Sequence, residues 1–526
     1  MGAAVKELRT SGGALVFAHG RYLLSPKVST AMAFEGVDGV EVDGDGSLLL
    51  FSGKMTPFSF HKCSNIFVHD LTIDWNPPPY SQGTVVASGD RWFDVDLDAG
   101  YSAISTAPID SYVSFDRDRV LATYNFVSAY GKVDHVERAD ERRIRIVLRP
   151  GPATGQTSTR MPTNTAVVLR FARTNWVASV RNSRQVRFSR CVIHASPNGG
   201  IFCSRCTDLN FDELTYSIPA GTGRLLSTVA DAIYLVGCDG SVSVTHCRFQ
   251  GMGDDGINIH SPLWKVARRL DSHTIEIHNG RGMPIAAELL PQNGDILQFL
   301  DPQDLATVGE AAVASVQEAS ATLLFSRALP GGVDRDSWVA DVNQSPRSSV
   351  CYCNFLGNLG RAVTAHSDLE VADCHISGCA FAAVLIAPDR FFFEGPAASN
   401  VIVRNNDITD CHYARPTDYE GSIVVDVMDN PFRRFPMTRR VNHDIQILNN
   451  TINHVATAGI SVRAASGVKI VGNHIGETWV GSNGKTHDAI ILDTVSDCEV
   501  RDNISGKIVM RNCDRTVTLR DNKGYP

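Results

Sequence analysis

The chain has 526 residues, 43% hydrophobic and 20% charged, which excludes intrinsic disorder and a collagen-like rod and supplies apolar material for more than one core. A net charge of −8 with no basic run argues against nucleic acid or an anionic membrane as partner; a neutral or polar ligand fits better. No stretch reaches the ~18 unbroken apolar residues of a membrane helix, and the opening MGAAVKELRTSGG has no apolar segment behind positive charge, so no signal peptide is expected in this chain.

Residues 4–24 read as the end of a helix, Gly12-Gly13 and a first strand, a cap over residues 1–30. Residues 31–76 follow as first coils and contain the phrase IFVHDLTI (66–73). After Pro77-Pro78-Pro79 the alternating runs at 91–97, 142–148 and 165–171 predict an antiparallel, barrel-like insertion over 77–172. The phrase returns within 173–264 as VRFSRCVI (186–193), LNFDELTY (209–216) and VSVTHCRF (242–249). Runs at 273–278, 295–300 and 321–326 predict a second such insertion over 265–346. Over 347–526 the phrase recurs as EVADCHI (370–376), VIVRNNDI (401–408), IQILNNTI (445–452), VKIVGNHI (468–475), CEVRDNI (498–504) and VTLRDN (517–522).

Aligned on its hinge residue, the phrase gives Leu71, Cys191, Leu214, Cys247, Cys353, Cys374, Asn406, Asn450, Asn473, Asn503 and Asn522, mostly 19 to 44 residues apart. Propellers and helical solenoids keep a nearly fixed unit, whereas a parallel β-helix keeps its strands and varies its turns. The prediction is an all-β fold, a right-handed parallel β-helix with two inserted antiparallel β-barrel-like domains. Its hinges form an inward ladder at the ~4.8 Å strand spacing, of cysteine and then of asparagine. The thirteen cysteines therefore read as core residues. Cys203 and Cys206 have CxxC spacing, but no second pair or histidine couple completes a zinc site.

Gly251-Met252-Gly253-Asp254-Asp255-Gly256 puts adjacent carboxylates in a glycine-framed turn, by itself ordinary turn chemistry. Asp231 lies 23 residues before Asp254, about one coil, and should stack beside the pair. Three crowded carboxylates raise at least one pKa and retain a proton, the combination of acid and base that glycoside hydrolysis uses, although calcium could also be held there. Asn198, Asn258, His260 and Arg361 are candidate sugar contacts on the same wall, and Trp264 a candidate stacking surface. Asp389 and Glu394 of the aromatic, acidic loop 387–396 are further candidates, while Phe391–Phe393 read as packing.

The phrase LTIDWNPPPYSQGTV (71–85), the Asp231 segment, GMGDDGINIH (251–260), GRAV (360–363) and DRFFFEGP (389–396) resemble the glycoside hydrolase family 110 enzymes, from about residue 30 to residue 500. The resemblance implies a β-helix α-galactosidase with inserted barrels. It implies an inverting exo-hydrolase of terminal α-1,3-linked galactose that needs no metal or cofactor, with Asp254 as proton donor and Asp231 and Asp255 activating water. Export to a periplasm or cell exterior is expected by analogy, the compartment being otherwise unknown, and a homodimer is possible. An inverting pair is expected ~6.5–9.5 Å apart, a retaining pair closer. The alternatives are a polygalacturonase-like endo-glycosidase, for which Arg361 and Lys265 are the evident basic subsites, a polysaccharide lyase, and a non-catalytic carbohydrate-binding β-helix.

Overall fold

The short Val- and Ile-rich runs pair in parallel, each with the matching run of the next coil. One side-chain column passes from Leu15 through Val42, Val68, Phe188, Phe211, Val244, Val350, Val371, Val403, Ile447, Ile470 and Val500 to Leu519. This computed structural model describes residues 7–8, 12–25, 29–101, 108–116, 121–122, 133–140, 142–149, 160–366, 368–414, 421–429, 437–481 and 488–524. The architecture is an all-β parallel β-helix carrying antiparallel sheets, and among the described residues no helix is long and apolar enough to cross a membrane. The predicted helix end before Gly12 lies mostly outside the described residues; Leu8 packs on the first coil.

The hinge ladder forms in the predicted order. Asn406, Asn450, Asn473 and Asn503 each donate Nδ2–H to the Oδ1 of the next asparagine, at 2.9 to 3.0 Å, ending on Asn522. Before them, Cys374 donates its backbone N–H to Asn406 Oδ1 at 3.0 Å, so the cysteine half joins the asparagine half directly. Each hinge is preceded by a residue in the left-handed region, including Asp70, Arg190, His246, Tyr352, Asn405 and Asp502. That conformation turns the chain by one residue per coil and explains why Asn and Asp cluster there. The thirteen cysteines are unpaired and eleven of them are buried, Cys203 and Cys206 included.

The ladder should be strongly stabilising. Asn450 also donates Nδ2–H to the Val403 carbonyl at 2.9 Å and accepts the Asn406 backbone N–H at 3.0 Å. Replacing it by alanine strands several buried groups, each costing about 1–3 kcal/mol. Asn450→Ala is expected to lower the urea midpoint by the equivalent of about 3 kcal/mol or more. Asn522→Ala, at the half-buried end, should cost about 1 kcal/mol; equal losses would show that the ladder is not cooperative.

The first insertion is a seven-stranded antiparallel sheet in the order Leu121–Ala122, Ile109–Asp116, Ala166–Phe171, Tyr80–Gly89, Trp92–Leu97, Arg143–Leu148 and Val133–Arg138. One face buries Val85, Phe93, Val95, Ile144, Ile146 and Leu169. The other sets Tyr80, Val113, Phe115 and Val168 on Leu225, Leu226, Val229 and Leu359 of the β-helix, beside the turns that carry the acidic residues. The second antiparallel sheet grows from the strand Ile257–Arg269. That strand pairs in parallel with Val363–Ala365 inside the β-helix and then antiparallel with Trp338–Asp341 and Thr274–Asn279.

Candidate active site

Asp231 and Asp255 occupy the same position of consecutive coils, the Ala232 N–H donating to the Asp255 carbonyl at 3.1 Å and the Gly256 N–H to that of Arg361 at 2.8 Å. The column is thus Asp231, Asp255, Arg361, with Asp254 one residue to the side. One carboxylate oxygen from each of the three aspartates lies within 4.8 Å of the others. Their nearest oxygens thus approach more closely than the ~6.5–9.5 Å that separates the carboxyl groups of an inverting pair. Stacked coils are ~4.8 Å apart and Asp254 and Asp255 are chain neighbours, so the fold itself compresses the cluster.

Their surroundings differ. Asp255 is buried and accepts the Arg361 N–H at 2.7 Å, the Thr364 hydroxyl at 2.8 Å and the Arg361 guanidinium at 3.5 Å, while its own N–H donates to Asp231 Oδ1 at 2.9 Å. Burial pushes the Asp255 carboxyl up to about 6, the Arg361 charge opposing and the Asp254 charge adding. Burial, then the charges of Asp254 and Asp255, push Asp231 well above the usual carboxylate range. The Asp254 side chain, by contrast, is 33% exposed, 3.3 Å from the Arg173 guanidinium. The two buried carboxyls are thus both raised, Asp231 the further, and Asp254 is the member that faces a ligand.

Close approach depends on missing side chains. A Cβ on Gly360 would stand 2.2 Å from Asp255 Oδ1, and one on Gly199 2.1 Å from the Trp176 ring and 2.4 Å from the Asp231 carbonyl. The first insertion reaches into the same turn. Buried Arg170 donates to the Gly253 carbonyl at 2.9 Å, and Arg173 follows three residues later.

A second polar cluster adjoins the first across one strand pair. Thr364, which donates to Asp255, is the register partner of Asn258, and Asn258 Nδ2 donates to Glu394 Oε1 at 3.2 Å. His260 meets the Asn258 amide oxygen at 2.9 Å and the Tyr234 hydroxyl at 3.3 Å. Glu394 arrives from a tight hairpin in which Asp389 and Glu394 exchange backbone hydrogen bonds of 2.7 and 2.9 Å. Burial pushes Glu394 up, but His260, His366 and Asn258 outweigh it and hold the carboxyl well below the usual range. Burial also pulls His260 down to about 4. Burial pushes Asp389 up to about 6, and the charge of Glu394 adds to it.

Asn198 lies one coil below, its carbonyl accepting the Ala230 N–H at 2.8 Å. Trp264 is the correction: it is 1% exposed and packed in the core of the second insertion with Val266, Ile275, Leu297 and Val339, so neither ring face can meet a sugar. Lys265 also belongs to that sheet, 3.8 Å from Asp336. Phe393 packs against Trp338 with ring centroids 6.1 Å apart, as expected, while Phe392 is exposed.

The aromatic surface beside the triad is Trp176, Phe202 and Tyr234, with centroids 5.3, 5.7 and 6.0 Å apart. Sequence reasoning missed it, together with Arg173, Thr364 and His366. The alternation of Phe202 and Tyr234 along their strands was the available signal. Asp231, Asp254 and Asp255 could also bind a hard cation through oxygen, and Asp43, His69 and Asp70 form a second such group elsewhere.

Fold and site together define a parallel β-helix protein with an acidic triad on one flank, bordered by two inserted sheets. The chain is similar to alpha-1,3-galactosidase A of Shewanella woodyi, at 23% identity over 83% of this chain and 73% of that one. It is similar to alpha-1,3-galactosidase B of Bacteroides thetaiotaomicron at 22% identity (86% and 76%), and to alpha-1,3-galactosidase A of Bacteroides fragilis at 23% identity (86% and 76%). Among solved structures, that of PfbA, a surface adhesin of Streptococcus pneumoniae, aligns with a TM-score of 0.42 at 11% identity, covering 100% of this chain and 86% of that one. No protein-family model matches the chain.

Proposed function

We propose that the protein is an exo-acting glycoside hydrolase that removes terminal α-1,3-linked galactose with inversion, without a metal or cofactor. The triad carries this reading: three carboxyl groups within one small cluster, the two buried members raised above their usual range and the third accessible. Asp254 is the group a leaving-group oxygen can reach and is assigned as proton donor. Asp231 and Asp255 are assigned to hold the attacking water: Asp255, the less strongly raised of the two, takes its proton as the water oxygen bonds to the anomeric carbon, while the glycosidic C–O bond breaks and the leaving oxygen receives the proton of Asp254. Glu394 and Asp389, with Asn258, Arg361 and His260, are assigned to the hydroxyls of the terminal sugar, and Asn198 to the edge of the same pocket. The similarity to proteins named alpha-1,3-galactosidase supports the choice of sugar and linkage.

Retention is the second reading, favoured by the short spacing of the cluster, since carboxyls ~5–5.5 Å apart are those of enzymes that form a glycosyl intermediate. Proton NMR of α-1,3-galactobiose hydrolysis decides between them. β-Galactose as first product, formed at the same rate with and without a chelator, is the expected result. α-Galactose would move Asp255 or Asp231 to the role of nucleophile, and loss of activity on chelation would make the triad a metal site.

A further inference from the structure

Resting on that reading, we infer that the substrate is an oligosaccharide chain and that its reducing-side units run from the triad into a distal, polar glycan-binding cleft at the other end of the same strands. The cleft has a volume of about 460 Å³ and lies between turns of the β-helix and the second insertion, with Lys62, Asn182, Arg205 and Asp239 among its lining residues on one side and Asp295 and Gln344 on the other. Asp231 starts the coil segment and Gly237 of the cleft ends it, a span of six residues or about 20 Å of extended chain. A single sugar at the triad cannot reach it, but a few linked sugars can.

The path between the two is built for a sugar chain. Phe202 and Tyr234 point outward from adjacent strands in one register row, with Trp176 beside them, and offer apolar faces nearest the triad. One row further on, Arg181 lies over Phe202 at 5.1 Å and pairs with Glu288 of the insertion, which walls the groove. Arg205 then fixes the far wall, donating to the Leu290 carbonyl and standing 3.7 Å from Asp295.

The chemistry of the cleft suits hydroxyls rather than an ion. Cations Lys62, Arg184 and Arg205 face Asp239 and Asp295, and amides supply donors and acceptors side by side. Two of its lining residues keep a buried polar atom without a hydrogen-bond partner, Arg205 Nε as donor and Gln344 Oε1 as acceptor. Neutral sugars present donor and acceptor on every hydroxyl and match such a mixture; a phosphate or carboxylate would meet the two aspartates.

The test compares a disaccharide and a tetrasaccharide, both ending in α-1,3-galactose, on the wild type and on Lys62→Ala/Asp239→Ala, two exposed positions at the rim. The ratio of kcat/KM for the tetrasaccharide to that for the disaccharide is expected to fall at least about fivefold in the variant, through KM. An unchanged ratio overturns the proposal. Saturation-transfer NMR of the tetrasaccharide on Asp254→Asn separates this from failure of the activity reading. Contacts from the reducing-side units that vanish in the Lys62→Ala/Asp239→Ala background support the cleft even if no galactoside is cleaved, and their absence from Asp254→Asn overturns it.

Discussion

Asp254→Asn is expected to lower kcat on an α-1,3-linked disaccharide by about 10³-fold with little change in KM, the loss typical of removing a general acid. The substitution keeps the shape of the side chain and an oxygen for Arg173, so the turn should survive. The diagnostic is the dependence on the leaving group. A sugar hydroxyl leaves only if it is protonated, whereas an acidic phenol leaves as its anion. Across α-galactosides of increasingly acidic phenols, the deficit of Asp254→Asn should shrink towards the wild-type rate. A deficit of the same size for every phenol would assign Asp254 to water activation and pass the acid role to Asp231, the buried member with the most strongly raised carboxyl. The pH profile adds a second reading of the same roles. Because Asp255 is raised to about 6, wild-type kcat/KM should fall as pH drops through that value and the base is protonated.

What sequence could reveal follows from how a β-helix is made. The ladder was legible because each coil repeats one constraint: a left-handed corner such as Asn405 or Asp502, then an inward residue small or self-pairing enough to stack, as Asn406 and Asn503 do. The triad was legible for the same reason, since a separation of one coil places Asp231 over Asp255 whatever the turn lengths elsewhere. The close approach of its nearest oxygens was not, because it is set by coil stacking together with the chain adjacency of Asp254 and Asp255.

The errors and omissions lie where the insertions meet the coils. Asn258, His260 and Trp264 share one parity on the strand Ile257–Arg269, so sequence alone puts all three on the groove wall. Beyond Pro262 that strand exchanges its β-helix partners for Trp338–Asp341, and the same face becomes the core of an antiparallel sheet, which buries Trp264. Arg170 and Arg173 sit far from the acidic turn in the sequence and arrive there because the first insertion docks on Leu225, Val229 and Leu359. Long-range docking of this kind leaves no periodicity to read. Glu394 was found through its unusual loop, but its partners His260 and His366, 106 residues apart in the chain, come together only when the strands of adjacent coils pair across the second insertion.

Asp231→Asn should cost about 10³-fold in kcat whatever the leaving group, and it should at the same time make the protein more stable at neutral and alkaline pH. The first effect follows if Asp231 holds the attacking water, because that task is needed equally for a sugar and a phenol. The second follows from burial. In the folded protein the Asp231 carboxyl is raised by desolvation and by the charges of Asp254 and Asp255, whereas in the unfolded chain it titrates near ~3.9. The folded state therefore holds this proton more tightly. The contribution of Asp231 to stability is complete below about pH 4 and is lost as pH rises towards the folded-state value. Asparagine cannot ionise, and its oxygen can still accept the Asp255 N–H that Asp231 Oδ1 accepts at 2.9 Å. Thermal unfolding should thus show a higher Tm for Asp231→Asn than for wild type at about pH 8, with the gap closing towards about pH 4. A variant destabilised across that whole range would mean that the carboxylate is held by favourable contacts rather than crowded, and the triad would no longer be a site where stability is given up for chemistry.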